Sequence, residues 1–303
     1  MILSYHKIDA RFEWGITWVT PAQFERQMAL LNERGYEAVS VRDWALRTAE
    51  CGMRNEKSES LMTGILTDTT DPLPTPTAGE EKDGSVRSVL PSVGSAVPQS
   101  EIGRTIALSF EDGYASVYEQ AWPIMEQYGF RGTLFVVAGY VGKENGWGAN
   151  FGGRRFRHLD WPQLKALAAA GWEIGSHSWS HRDLTALTTE ELTRELRESK
   201  RSLEDALGVS VDTLSYPFGR YDERVRDAAF AAGYRGGCVY FPLRDDSFSL
   251  AQTAVYRMDT MLDFTAKVTG NVLSGLERFR GRLINSLAVG TPIMQRLGIV
   301  RVR

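Results

Sequence analysis

The chain has 303 residues, with 35 lysines and arginines against 38 aspartates and glutamates, and a formal net charge of -3. That charge argues against general affinity for nucleic acid, and the apolar content of 43% is ordinary for a globular protein. The two cysteines, Cys51 and Cys238, are too few for a disulfide framework and form no Cys-x-x-Cys pair. This length predicts one large α/β domain, with or without an insertion.

Strands and helices alternate from the first residues onward. The predicted elements in chain order are strand Ile2–Tyr5, a helix from Pro21 to Gly35, strand Glu37–Val41, helix Asp43–Ala49, strand Thr105–Phe110, helix Ala115–Tyr128, strand Thr133–Ala138, helix Trp161–Ala170, strand Glu173–Ser176, a helix from the capping box Thr188–Glu191 to Leu207, strand Thr213–Tyr216, helix Arg224–Ala232, and strands near Gly236–Tyr240 and Ala254–Met258. Repeated strand-helix units indicate a parallel barrel with right-handed crossovers.

Two segments depart from this alternation. Residues 51–103 are rich in Pro, Ser, Thr, Gly and charged residues, which predicts a flexible insertion within a single domain spanning 1–280. The tail at 281–303 is basic, and apolar residues at helical spacing precede it. We expect a helix packed on the barrel with a solvated cationic face; contact with a membrane surface is the alternative.

The N-terminus carries no targeting signal in the sequence as written. Residues 1–6 already belong to a predicted strand, without the basic region, long apolar region or cleavage site of a signal peptide. No stretch approaches the ~18 apolar residues of a membrane-spanning helix. A cytoplasmic location is therefore expected, whereas a mis-assigned start codon would allow export.

Two adjacent carboxylates, Glu111 and Asp112, follow the buried strand Thr105–Phe110 directly. Carboxylates at the C-terminal end of a parallel strand lie where α/β folds place their chemistry. One acid of such a pair can hold a metal while the other moves a proton. The alternative is an acidic turn that caps the next helix, since Asp-Gly is common in turns.

Two of the four histidines, His177 and His181, follow another short strand. Histidines four residues apart can face the same way on a helical turn and share one tetrahedral ion. No Glu follows His177, so this is not the His-Glu-x-x-His zinc protease motif. Together with the strand-end Asp112, the pair predicts a metal site.

Three strand ends together resemble a known family. Ser109–Gly113, His177–His181 and Tyr216–Gly219 are similar to the first three motifs of the polysaccharide deacetylases, which carry the NodB homology domain of carbohydrate esterase family 4. Their order and spacing agree over roughly residues 105–240. The opening Leu3–His6 resembles the branch that deacetylates poly-N-acetylglucosamine. The resemblance implies a distorted (β/α)7 barrel.

The resemblance also implies the chemistry of the site. Asp112, His177 and His181 would hold a divalent metal, for which zinc suits the ligands best and cobalt or nickel remain alternatives. Glu111 would be the general base, and the backbone N–H of Phe218 would face the developing oxyanion. The reaction would be hydrolysis of an amide.

The sequence departs from the family pattern at three points. The base is Glu111 where the family usually has Asp, and Ser215 stands where an Arg usually orients the base; Arg257 is our replacement for that Arg. The usual late Leu-x-His motif is absent, so the general acid must come from elsewhere. We expect His6, whose pKa suits proton transfer near neutrality, and keep His158 as the alternative, although a substrate loop suits it better.

Substrate contacts are predicted for five residues. Large aromatic side chains can stack on a sugar face, although they are more often part of a core. The predicted residues are Tyr216, Pro217, Trp179, Trp147 and Tyr221.

The leading hypothesis is a metal-dependent N-deacetylase acting on N-acetylhexosamine in a polysaccharide, an oligosaccharide, or a lipid- or nucleotide-linked sugar. A hydrolase of cyclic amides is the second hypothesis, because members of the superfamily resemble allantoinases. A barrel that only binds carbohydrate is the third, since Glu111 and Ser215 both depart from the pattern.

Overall fold

The computed structural model describes residues 1–11, 13, 15–50, 104–145, 155–242, 244 and 246–269. The predicted insertion at 51–103, Trp147 and the basic tail at 281–303 lie outside the described residues. In the described ranges no helix is long and apolar enough to cross a membrane.

Parallel strands close into a barrel. The strands are β1 Ile2–Tyr5, β2 Lys7–Ile8, β3 Trp18–Val19, β4 Glu37–Val39, β5 Thr105–Phe110, β6 Thr133–Val136, β7 Glu173–Ser176, β8 Thr213–Ser215, β9 Gly236–Val239 and β10 Leu250–Ala254. A ring runs in the order β1-β10-β9-β8-β7-β6-β5 and closes where β1 pairs with β5, from Ile2 opposite Ala107 to Tyr5 opposite Phe110. β4 pairs with the first half of β5. This ring confirms the predicted (β/α)7 barrel.

The helices begin and end where the sequence signals predict, within one or two residues in most cases. Thr20 accepts a hydrogen bond from the Gln23 N–H at the start of the first helix, and Thr188 and Glu191 form the predicted capping box. The helices are α1 Pro21–Glu33, α2 Val41–Glu50, α3 Trp122–Glu126, α4 Trp161–Ala169, α5 Thr189–Leu207, α6 Glu223–Ala231 and α7 Met261–Thr269.

The side chains of the strands alternate between two cores, because successive residues of a strand point to opposite faces. Outward residues such as Leu3 and Phe110 pack against the helices in the larger core. Ile2, Ala107 and Phe135 belong to the smaller cluster inside the ring. The Phe135 ring fits because β7 has Gly175 beside it, where an added Cβ would lie 2.6 Å from the ring. Apolar packing therefore fills one part of the barrel interior.

Two predicted elements differ from the structure. The predicted strand Ala254–Met258 is wrong in position, because β10 ends at Ala254. The Tyr256 N–H donates to the Asp259 carboxylate at 2.8 Å instead of continuing the ladder, and Asp259 is paired with the buried Lys267. The predicted helix Ala115–Tyr128 begins at Ala115 as predicted, but a π-helical turn at Val117–Ala121 interrupts it before α3.

Candidate active site

The three predicted motifs meet at the C-terminal ends of their strands. Glu111 and Asp112 follow β5, His177 follows β7, and Tyr216 follows β8. In parallel barrels this end carries the catalytic groups, because the loops there converge over the barrel mouth. The barrel thus brings together motifs that are 39 or more positions apart in the chain.

Asp112, His177 and His181 form a buried cluster that could hold a metal ion, with one ligand atom from each within 4.8 Å of the others. Oδ1 of Asp112 lies 3.3 Å from Nε2 of His181 and 3.6 Å from Nε2 of His177. Tetrahedral ligands at ~2.1 Å from a zinc ion are about 3.4 Å apart, so these separations fit a shared ion. Oδ1 of Asp112 has no hydrogen bond of standard geometry among the described residues. The donor set and spacing therefore fit a divalent metal.

The orientation of His177 is fixed by its other ring nitrogen. Nδ1 of His177 lies 2.7 Å from the Ser215 carbonyl oxygen. A carbonyl can only accept, so Nδ1 carries the proton and the Nε2 lone pair is left for a metal. Burial lowers the pKa of His177 to about 3, which keeps the ring neutral. Ser215, the position that usually carries an Arg, thus supports a ligand through its backbone.

Charges around Asp112 favour its ionised form. Burial opposes ionisation, but the neighbouring imidazoles, His181 first and then His6 and His177, favour the carboxylate and lower the pKa of Asp112 below the usual range. The ionised carboxylate is the form of Asp112 that zinc binding requires.

Left-handed backbone conformations surround the cluster. In the part of the chain that the structure describes, four non-glycine residues have positive φ, and all lie in the three motifs: Asp112 at 71°, Ser178 at 65°, His181 at 58° and Phe218 at 61°. Residues 177–181 are therefore not the helical turn that the sequence spacing suggested. Such conformations cost of order 1–3 kcal/mol each and cluster at functional sites. A strained loop, not a helix, brings both Nε2 atoms to Asp112.

Glu195 of α5 binds the backbone of the loop at residues 177–181. Its buried carboxylate accepts hydrogen bonds from the N–H groups of Trp179 at 3.1 Å and Ser180 at 2.9 Å, and from the Ser180 hydroxyl. The role of Glu195 was missed in the sequence. Its signal was a charged residue on the apolar stripe of an amphipathic helix, beside Leu192 and Leu196.

The predicted base, Glu111, is 1% exposed. Ser4 Oγ donates to its Oε1 at 3.2 Å, and Oε2 lies 3.4 Å from Nδ1 of His177 without a hydrogen bond of standard geometry. Burial raises the pKa of Glu111 to about 8, against the lowering effect of the Ser215 and Ser4 hydroxyls. One oxygen is therefore anchored, and the other can accept a proton.

Both histidines considered as general acid lie near the cluster. Burial lowers the pKa of His6 to about 4, and the charge of Asp112 acts in the opposite direction. Burial also lowers the pKa of His158 to about 4, and its Nδ1 lies 3.0 Å from the Lys143 carbonyl. His158 stacks on Tyr114 with ring centroids 5.0 Å apart. The choice between these two histidines remains a prediction.

Phe218 and Arg257 have different outcomes. Phe218 lies at the site, with its ring edge-to-face against the His181 ring and the two centroids 4.6 Å apart, and the oxyanion role of its N–H remains a prediction. Arg257 is exposed, and its guanidinium lies 5.1 Å over the Trp18 ring. Hydroxyl groups, not this guanidinium, contact the buried Glu111. We therefore do not retain Arg257 as the group that orients the base.

Of the predicted substrate residues that the structure describes, two are buried and two keep accessible surface. Tyr216 and Pro217 are buried, and the Tyr216 ring stacks on Tyr221 at 5.0 Å. Tyr221 and Trp179 are half-buried and keep some accessible surface. Tyr216 and Pro217 therefore serve as core behind the loop, while Trp179 and Tyr221 remain predicted sugar contacts.

Comparison with known proteins agrees with the geometry. Residues 99–237 match the family model described as polysaccharide deacetylase. This segment of the chain is therefore similar to the polysaccharide deacetylases. Proteins of this family are generally metal-dependent, which agrees with the cluster at Asp112.

Individual proteins similar to this chain agree with the match of the family model. YxkH of Bacillus subtilis (strain 168), classed by its name with the polysaccharide deacetylases, is 30% identical over 139 residues, 46% of each chain. The poly-beta-1,6-N-acetyl-D-glucosamine N-deacetylase of Staphylococcus aureus (strain MRSA252) is 26% identical over 164 residues, 50% of each. The matches span about half the length of these relatives. The structure of IcaB from Ammonifex degensii has the same fold, with a TM-score of 0.59 at 17% identity over 89% of this chain and 96% of that one.

Proposed function

We propose that this chain is a metal-dependent hydrolase that removes N-acetyl groups from N-acetylhexosamine residues of a glycan. The observation that carries the proposal is the convergence of Asp112, His177 and His181 beside the buried carboxylate of Glu111. A metal ligand set next to a separate proton acceptor is the arrangement that amide hydrolysis by water requires. The chitin and poly-N-acetylglucosamine deacetylases among the relatives support an acetylated glucosamine polymer as the substrate class.

Zinc is the metal that we propose, because two imidazoles and one carboxylate suit it; cobalt and nickel are close alternatives. When bound, such an ion polarises the acetyl carbonyl and lowers the pKa of a water molecule from 15.7 to ~7. The residues that would hold it are Asp112, His177 and His181.

The side chains around this ion supply the proton transfers. Glu111 would take a proton from the attacking water through Oε2, while Ser4 holds Oε1. The Phe218 N–H would donate to the oxygen that gains charge as the acetyl carbon becomes tetrahedral. The leaving amine needs a proton before it departs, and His6 or His158, once protonated, would donate it.

The test is acetate release from N-acetylglucosamine oligomers by the purified, full-length chain. We expect chelation to abolish release and Zn²⁺ or Co²⁺ to restore it. His177→Ala should lose both metal and activity. Glu111→Gln should keep the metal and lose activity by about 10²–10⁴-fold, the usual contribution of general base catalysis. Glu198→Gln, an exposed change on α5, is the matched control.

Two outcomes would contradict the proposal. Acetate release at an equal rate after complete chelation would remove the metal from the reaction. Tight metal binding without acetate from any glycan, together with hydrolysis of a ureide ring, would favour the hydrolase of cyclic amides instead.

A further inference from the structure

The buried base is held by a serine on the first strand of the barrel. Ser4 is fully buried inside the ring, and its hydroxyl is the donor to Oε1 of Glu111. The two residues are 107 positions apart and meet only because β1 closes the ring against β5. The closure of the barrel therefore builds the contact.

A second hydroxyl completes the connection. Ser4 Oγ lies 3.1 Å from the hydroxyl of Tyr240, the residue that follows β9. Ser4 has one proton and donates it to Glu111. In the ionised form that acts as a base, Glu111 can only accept, so Tyr240 must then donate to Ser4. The hydrogen bonds therefore run in one direction, from Tyr240 through Ser4 to Glu111.

The third motif makes room for this tyrosine. Gly219 has φ of 64°, and an added Cβ would lie 2.9 Å from Cδ2 of the Tyr240 ring. The half-buried ring thus lies against the loop that carries Phe218. Its position is set by the motif loop and by the hydroxyl of Ser4 together.

We propose that Tyr240 and Ser4 are positioning residues that hold Oε1 of Glu111, so that Oε2 faces the attacking water. This inference rests on the proposed deacetylase function. The two hydroxyls fix the carboxylate without adding a positive charge, and so occupy the role that the sequence assigned to Arg257. Among the described residues Oε2 of Glu111 has no hydrogen bond of standard geometry, so it keeps its capacity to accept a proton while Ser4 holds Oε1.

The chain offers a matched control for Ser4. Ser109 of β5 is the register partner of Ser4, is equally buried, and donates a hydrogen bond of the same 3.2 Å length. Its acceptor is the Leu3 carbonyl and not the carboxylate. Ser109→Ala therefore removes a buried serine hydroxyl at the same level of the barrel without releasing the base.

The experiment compares steady-state kinetics of zinc-loaded variants on N-acetylglucosamine oligomers. We expect Ser4→Ala to lower kcat by about 10–100-fold with KM and zinc content unchanged, because a small misplacement of a catalytic group costs that much. Tyr240→Phe should lower kcat less, and Ser4→Thr should recover most of the loss. Ser109→Ala should stay within about twofold of the parent, since its hydroxyl does not touch Glu111.

An active parent whose Ser4→Ala variant keeps kcat within about twofold would overturn the inference and leave the proposed function intact. A parent that releases no acetate would instead refute the function. The inference is then decided by a double-mutant cycle of Ser4→Ala with Glu111→Ala, read from urea unfolding midpoints. Non-additive midpoint shifts would support the contact, and additive shifts would overturn it.

Discussion

Removing the carboxylate of Glu195 tests whether the loop beneath the metal ligands is held as the structure indicates. Glu195 accepts from two backbone N–H groups and one hydroxyl of residues 179–180. Glu195→Ala leaves all three donors without their acceptor, whereas Glu195→Gln keeps one oxygen for the two N–H groups. The two substitutions therefore separate loss of charge from loss of the contact.

The expected magnitudes follow from the number of hydrogen bonds. Hydrogen bonds to a charged group contribute ~1.5–3 kcal/mol and neutral ones ~0.5–1.5, so Glu195→Gln should lower the free energy of unfolding by about 2 kcal/mol. Glu195→Ala leaves buried donors without an acceptor, at a cost of ~1–3 kcal/mol each. We therefore expect it to lower the free energy of unfolding by about 4 kcal/mol in total. Loss of an outer contact to a ligand loop also weakens metal binding, typically by about 10–100-fold.

Urea unfolding of the metal-free protein measures the change in stability. Competition with a chromophoric zinc chelator measures the change in zinc affinity. Glu198→Gln, on the exposed side of the same helix, should change neither quantity. If Glu195→Ala kept both parental stability and parental zinc affinity, the carboxylate would not hold the loop, and our account of how His177 and His181 are placed would be refuted.

The remaining predictions concern proton uptake, barrel packing and the general acid. The lowered pKa values of His6, His158 and His177 and the raised pKa of Glu111 predict that unfolding the metal-free protein between pH 4.5 and 6 takes up three protons and releases one. The free energy of unfolding should therefore fall as pH falls, by at most about 2.7 kcal/mol per pH unit for a net two protons, which urea titrations at several pH values would detect; a flat profile would contradict the burial of these groups. Gly175→Ala should lower the unfolding free energy by about 1–3 kcal/mol through overpacking against the barrel interior, and an unchanged midpoint would contradict that packing. His6→Ala should lower kcat more than His158→Ala if His6 is the general acid, and the reverse order would assign the role to His158.

The sequence predicted the barrel well because its signals are local. Strand periodicity, the capping box at Thr188 and the cap at Thr20 each depend on residues within one turn or one strand. The strand placed at Ala254–Met258 failed for the opposite reason. Its alternation is strand-like, but Asp259, paired with Lys267, captures the backbone N–H that the ladder would use.

The metal ligands and the base could be predicted from motifs, whereas the residues that hold the base could not. Ser4 and Tyr240 are 236 positions apart, and only ring closure brings them to Glu111. A single polar residue in an apolar strand carries no information about its partner. The sequence favours Arg257 because the similar family orients its base with an Arg and Arg257 lies near the end of a predicted late strand, but the barrel supplies neutral hydroxyls at that place.

The spacing of His177 and His181 correctly predicted that the two side chains lie together, but the helical turn on which that prediction rested is absent from residues 177–181 in the structure. On a helix, residues four apart would converge without backbone strain. Here Ser178 and His181 are left-handed instead, and Asp112 opposite them is left-handed too. Such conformations persist only where the surroundings over-determine them, and the contacts of Glu195 with the loop and of Ser215 with His177 provide that constraint. The strands alone would let Asp112, Ser178 and His181 relax to unstrained conformations. The surrounding contacts therefore shape the cluster at Asp112.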